Sequence, residues 1–283
     1  MVEVPSADGP KLFIRSIPTK LSAFIQTERD QYHPEMNNHF AVALGRVARY
    51  EGFLRIILDR YRQLSSRFAE IAGRLSEFAQ HHAAEQPEGG QWAFTPLEAA
   101  LRSEHFGLNE PIHFESESFH VFANILLDCM AQYLEHHFTP GTEAGRRVIR
   151  GISLHSHDQL WRQFERYARA LCIEYPPGLI DQLKDLRARI GEIRDYYIVH
   201  ERDPYAITCT TWGADGAPKL LRGAVTLAGQ KARIPREADT PEELMSALEA
   251  YIDTYTGIIA GNRDKSRFMR PLATATATAT FGR

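Results

Sequence analysis

Residues 177–204 read PGLIDQLKDLRARIGEIRDYYIVHERDP. Along this stretch Leu179, Leu183, Leu186, Ile190, Ile193, Tyr197 and His200 recur at alternating intervals of four and three. That rhythm lays one continuous stripe on a helix, the seam a bundle helix turns toward its neighbours. Pro177 suits a first helical turn, and Pro204 disfavours helical geometry at Asp203, so a helix is expected over the stretch between them. Six apolar or aromatic residues of the stripe lead to a histidine, with Arg194 and Asp195 beside the same seam.

The chain on either side is mostly of the same kind. From 35 to about 80, Phe53, Ile56, Ile57, Tyr61, Leu64, Phe68, Ile71, Leu75 and Phe78 predict a long amphipathic helix. A second strong helix is expected over 114–138, where Phe119, Phe122, Leu126, Met130, Tyr133 and His137 share a stripe. Residues 108–111 read as loop. Thr95 with Glu98, Ser156 with Gln159 and Thr240 with Glu243 are capping-box signatures that open further helices. After Pro204 the period falls to two. Residues 206–212 and 219–227, separated by GADGAP, predict a β-hairpin.

The expected organisation is an irregular segment over 1–34 and a helical bundle over 35–203. A hairpin plus helix follows over 204–270, then a disordered tail rich in Ala-Thr repeats over 271–283. The expected fold class is mainly α, a helical bundle with a C-terminal β-hairpin and one further helix.

Composition narrows the function classes. The 283 residues are 43% hydrophobic and 24% charged, with a formal net charge of −3 and a pI near 6.5. Any nucleic-acid contact must therefore come from a local patch. Cys129, Cys172 and Cys209 form no CxxC or zinc spacing, and no disulfide framework is expected. The opening residues have no secretory pattern. The longest apolar stretch, 121–134, is cut by Asn124, Asp128 and Gln132, too polar for a membrane span. A reducing cytoplasm is the expected location, with no membrane partner.

The chemically suggestive pattern is Arg194-Asp195-x4-His200. Similar bare spacings occur at Arg74/His81 and at Arg150 with His155 or His157. The pattern at Arg194 differs in its context: a polar residue follows the arginine, and the pair closes a late amphipathic helix. In this setting the segment resembles the active-site helix of the HEPN superfamily, whose motif is an arginine, a polar residue, a short spacer and a histidine. The helix order over 35–203 looks like a HEPN bundle too. The resemblance implies a metal-independent endoribonuclease of a toxin or phage-defence system, acting on single-stranded RNA, with a possible antitoxin or regulatory partner. It implies Arg194, Asp195 and His200 as catalytic residues and no cofactor or metal. RNA carries its own 2′-hydroxyl nucleophile, an imidazole can relay its proton, and a guanidinium can clamp the phosphate. Arg194 and His200 lie about 120° apart on a straight helix, an offset that a facing copy in a homodimer could complete. The plain reading of the motif puts Arg194 in a surface ion pair and His200 at the carbonyl end of its helix. The alternative function is a non-catalytic helical dimerisation or interaction module that uses the same surface to dimerise or bind a partner.

Other groupings read more plainly. Glu117-Ser-Phe-His120 is half of a di-iron pattern with no second copy. His81-His82, His136-His137 and His155/His157 lack convergent acids or cysteines and read as exposed histidines. Trp212 fits a half-buried strand better than a base-stacking platform.

Overall fold

A computed structural model of the chain describes residues 18–85, 93–140, 143–191 and 239–270, of which 143–145 are described as backbone only, as are the strand segments 206–212, 218–224 and 236–237. Its α-helices are α1 (Lys20–Glu28), α2 (Asn37–Glu85), α3 (Pro96–Gly107), α4 (Asn109–Phe138), α5 (Glu143–Val148), α6 (His157–Leu171), α7 (Leu179–Leu186) and α8 (Pro241–Gly261). A π-turn, Arg187–Gly191, extends α7. No described helix is long and apolar enough to cross a membrane.

The body is organised on α4. Phe119, Ala123, Leu126, Leu127, Met130 and Ala131 are fully buried in one core that α1, α2, α6, α7 and α8 also supply. Tyr255 of α8 donates its hydroxyl to the Met130 carbonyl at 3.2 Å, giving a buried phenol its partner. The 49 residues of α2 span about 74 Å at 1.5 Å per residue. Its far end outruns the main core and packs with α3 and the start of α4, where Tyr61, Phe68 and Ile112 form a small second cluster.

The buried face of α2 differs from the expected stripe. Phe53 and Ile56 are 36% and 40% exposed. The buried row is Phe40, Leu44, Val47, Glu51, Leu54, Leu58 and Tyr61. Glu51 interrupts it on paper, yet its carboxylate is fully covered and accepts the Lys20 and Leu21 amides at 2.8 and 3.0 Å. A charge at these first-turn amides of α1 meets the positive end of the helix dipole. Thr19 and Ser22 complete that terminus as a reciprocal capping box.

Two boundaries also differ. Residues 108–111, expected to be loop, link α3 almost directly to α4, with Pro111 in the first turn where no intrahelical N–H is needed. The Thr240/Glu243 box forms in full, whereas Thr95 caps α3 without a return bond from Glu98.

The fold class is corrected to a helical body. None of the residues whose side-chain surroundings are described lies in a strand, and every buried residue among them sits on a helix or a link between helices. The expected class, a bundle with an integral β-hairpin, is corrected accordingly: the described packing is helical, and 206–212, 218–224 and 236–237 are described only as an antiparallel backbone ladder. The physical reason is that α8 closes the described core through Leu244, Leu248, Tyr251, Ile252 and Tyr255, so the helices bury their apolar stripes against one another.

Replacing Leu126, fully buried at the middle of α4, with alanine should lower stability by roughly 2–5 kcal/mol in urea denaturation, as for a buried leucine. A negligible loss would contradict its central place.

Candidate functional site

The expected site residues Arg194, Asp195 and His200 lie outside the described residues. The described chain ends just before them, at a buried polar cluster that α4, α6 and the π-turn build together.

On α4, Ser116, His120, Asn124 and Asp128 fall four residues apart and so occupy one row of an otherwise apolar helix. The first three are buried and Asp128 is half-buried. The Ser116 hydroxyl donates to the Ile112 carbonyl at 3.0 Å. His120 Nδ1 lies 2.9 Å from the Ser116 carbonyl, an acceptor only, so that nitrogen carries the proton. Asn124 Nδ2 donates to Asp128 Oδ2 at 3.1 Å. The other oxygen, Asp128 Oδ1, accepts the His157 amide at 2.8 Å.

That last bond ties α4 to the start of α6, where Ser156 accepts the Gln159 amide as N-cap. The His157 ring points inward and donates Nε2–H to the Leu183 carbonyl of α7 at 2.9 Å. Burial drives its pKa down to about 4; the Leu183 bond opposes this and the Arg187 charge adds to it. His157 is therefore a neutral, structural imidazole at neutral pH.

The neighbouring carboxylate, Asp158, gathers cations. Its Oδ1 accepts from Arg187 Nε and Trp161 Nε1, each at 3.3 Å, and its Oδ2 lies 3.2 Å from Arg162. Arg187 opens the π-turn, a local widening that often marks functional positions. Gly191 closes it against α4. A Cβ there would come within 2.7 Å of an Arg187 guanidinium nitrogen and 3.2 Å of Asn124 Oδ1. A side chain there would have to displace the Arg187 guanidinium and crowd the Asn124 amide.

This cluster holds and orients. Its carboxylates are engaged with amides and arginines, and the neutral His157 is bonded to a carbonyl. Arg194, Asp195 and His200 follow Gly191 in the chain. The second sequence candidate does not assemble: Glu117 pairs with His113 at 3.1 Å, while His120 is turned to the Ser116 carbonyl.

The sequence reading missed Asn124, Asp128, His157, Asp158 and Arg187 as a group. The signal for Asn124 and Asp128 was the four-residue spacing of polar residues within the apolar 116–128 segment. Asp158 sits inside a capping box, which supplied a sufficient reason for it alone.

No protein-family model, curated protein or solved structure matches the chain.

Gly191→Ala should destabilise the protein by roughly 1–3 kcal/mol through overpacking, measured by thermal or urea unfolding. Wild-type stability would refute the close approach. The depressed His157 pKa has its own signature. The unfolded chain binds a proton near pH 6.5 and the folded one near 4, so stability from this group is full above 6.5 and falls on acidification. The slope is about 1.4 kcal/mol per pH unit. His157→Gln should lose less stability than wild type between pH 7 and 5; parallel losses would show that His157 titrates normally.

Proposed function

We propose that this chain is a HEPN-like ribonuclease that cleaves single-stranded RNA without metal. The observation that carries the reading is the Arg194-Asp195-x4-His200 pattern directly beyond an anchored turn. Leu179, Leu183, Leu186 and Ile190, the first four members of the stripe leading to it, are all buried. Asn124 and Arg187 crowd the last described residue before the motif.

In this reading the RNA 2′-hydroxyl attacks the adjacent phosphorus. His200 takes the hydroxyl proton or supplies one to the departing 5′ oxygen, leaving a 2′,3′-cyclic phosphate and a 5′-hydroxyl. Arg194 clamps the phosphoryl oxygens through two bonds and stabilises their growing charge. Asp195 orients these groups. A homodimer completes the site by supplying a second motif helix. A toxin or phage-defence role, with an antitoxin or other regulator, goes with this activity.

A second reading is a non-catalytic helical interaction module. It rests on Phe106 and Phe114, which are 80% and 63% exposed near the α3–α4 junction. Large exposed apolar side chains are the kind of surface that partner-binding modules present.

Purified protein with labelled single-stranded RNA in EDTA separates the two. The ribonuclease reading expects cleavage to cyclic-phosphate ends, lost in His200→Ala with an unchanged melting temperature. Arg194→Lys should also be damaging, because an ammonium cannot reproduce the planar contact. An intact wild-type substrate would overturn the ribonuclease reading.

A further inference from the structure

The far end of α2 carries a grouping that the proposed ribonuclease site does not use. His81, His82 and Glu85 each offer one ligand atom, and these atoms lie within 4.8 Å of one another. His81 Nδ1 is 3.4 Å from Glu85 Oε2, one helical turn on, and both side chains are exposed. His82 also places Nε2 3.0 Å from Glu98 Oε2 on α3.

Glu98 is the telling residue. It is fully covered, while its neighbours Leu97, Ala99 and Ala100 are exposed. Arg102 meets its second oxygen at 3.0 and 3.3 Å. A covered carboxylate thus stands behind an imidazole whose neighbours in sequence and on the next turn are a second imidazole and a second carboxylate.

We propose that His81, His82 and Glu85 form a binding site for a divalent cation of the zinc type, with Glu98 as the positioning carboxylate behind His82. Two imidazoles and a carboxylate are a donor set that suits Zn²⁺ and leaves a coordination position for water. A ring whose Nε2–H donates to a carboxylate presents Nδ1 as its basic nitrogen, the carboxylate–histidine–metal arrangement that fixes the tautomer and raises ligand basicity. Metal–ligand bonds of about 2.0–2.2 Å draw the three ligand atoms closer together, a movement that the exposed His81 and Glu85 side chains can make by rotation. Glu98 ties the site to α3, so a bound ion fastens the projecting end of α2 to α3. Binding to the folded chain alone then raises stability by mass action.

The test titrates the full chain with Zn²⁺ against a chelating dye. It then records Co²⁺ absorption and the melting temperature with and without Zn²⁺. One saturable equivalent is expected, with a tetrahedral or five-coordinate Co²⁺ spectrum and a rise in melting temperature. His81→Ala and Glu85→Ala, both on exposed positions, should each weaken binding at least about tenfold, and Glu98→Gln by about 10–100-fold. Affinity should fall on acidification, because protons compete with the metal for the ligand atoms. The absence of saturable binding at submillimolar Zn²⁺ would overturn the site. So would equal affinity in His81→Ala and Glu85→Ala, which would place the ion elsewhere. An unchanged affinity in Glu98→Gln would overturn the role of Glu98.

Discussion

Half of the thirty residues of α4 are buried, and its buried polar groups must find partners; Ser116, His120, Asn124 and Asp128 do so along one row. Leaving such groups unpaired would cost about 1–3 kcal/mol each. Ser116 and His120 close on backbone carbonyls within α4 itself. Asp128 reaches the amide that opens α6, and the ring of that same residue reaches the carbonyl of Leu183 in α7. The polar row therefore sets the register of three helices. It also decides where the π-turn brings the chain, because Gly191 must come to rest against Asn124.

Covered carboxylates repeat this logic at the other junctions. Glu51 on α2 holds the first amides of α1. Glu28, at the end of α1, is paired with Arg263 beyond α8 through both of its oxygens. Glu135 on α4 accepts the amide of Leu154, just before α6. Glu98 joins α3 to the end of α2. Removing one partner of such a pair strands the other without compensation, which makes these junctions specific as well as adhesive. Asn262 does similar work without charge: its amide accepts from the Glu174 N–H and donates to the Glu174 carbonyl, fastening the end of α8 to the link before α7.

The helices with a clean stripe and a cap were legible in the sequence. The Thr240 box, its proline and the Leu244, Leu248, Tyr251 and Tyr255 rhythm all point to α8. The face of α2 was legible in part: Ile57, Tyr61, Phe68 and Ile71 of the expected stripe are buried, but toward the start of the helix Glu51 stood where a stripe reader expects an apolar residue and Phe53 offered a larger decoy. The start of α4 was obscured by Asn109 and Pro111, residues equally at home in a turn and in a first helical turn. The period-two segment after Pro204 reports local strand propensity, but propensity alone does not say whether a ribbon joins the core. The polar cluster was hidden for a different reason. Each of its members has an adequate local explanation, and only the packing of α4, α6 and α7 brings them to one place. The Arg194, Asp195 and His200 motif was visible in sequence and lies outside the described residues.

The dependence of the body on the polar row of α4 is open to amide hydrogen exchange, which resolves local opening from global unfolding. If the row sets the register of three helices, the His157 amide and the amides of 126–134 should exchange only through global unfolding. Their opening free energies should then equal the stability found by denaturation. A His157 amide that exchanges by a local opening, while 126–134 stay protected, would show that Asp128 does not hold α6 to α4 and would contradict the account.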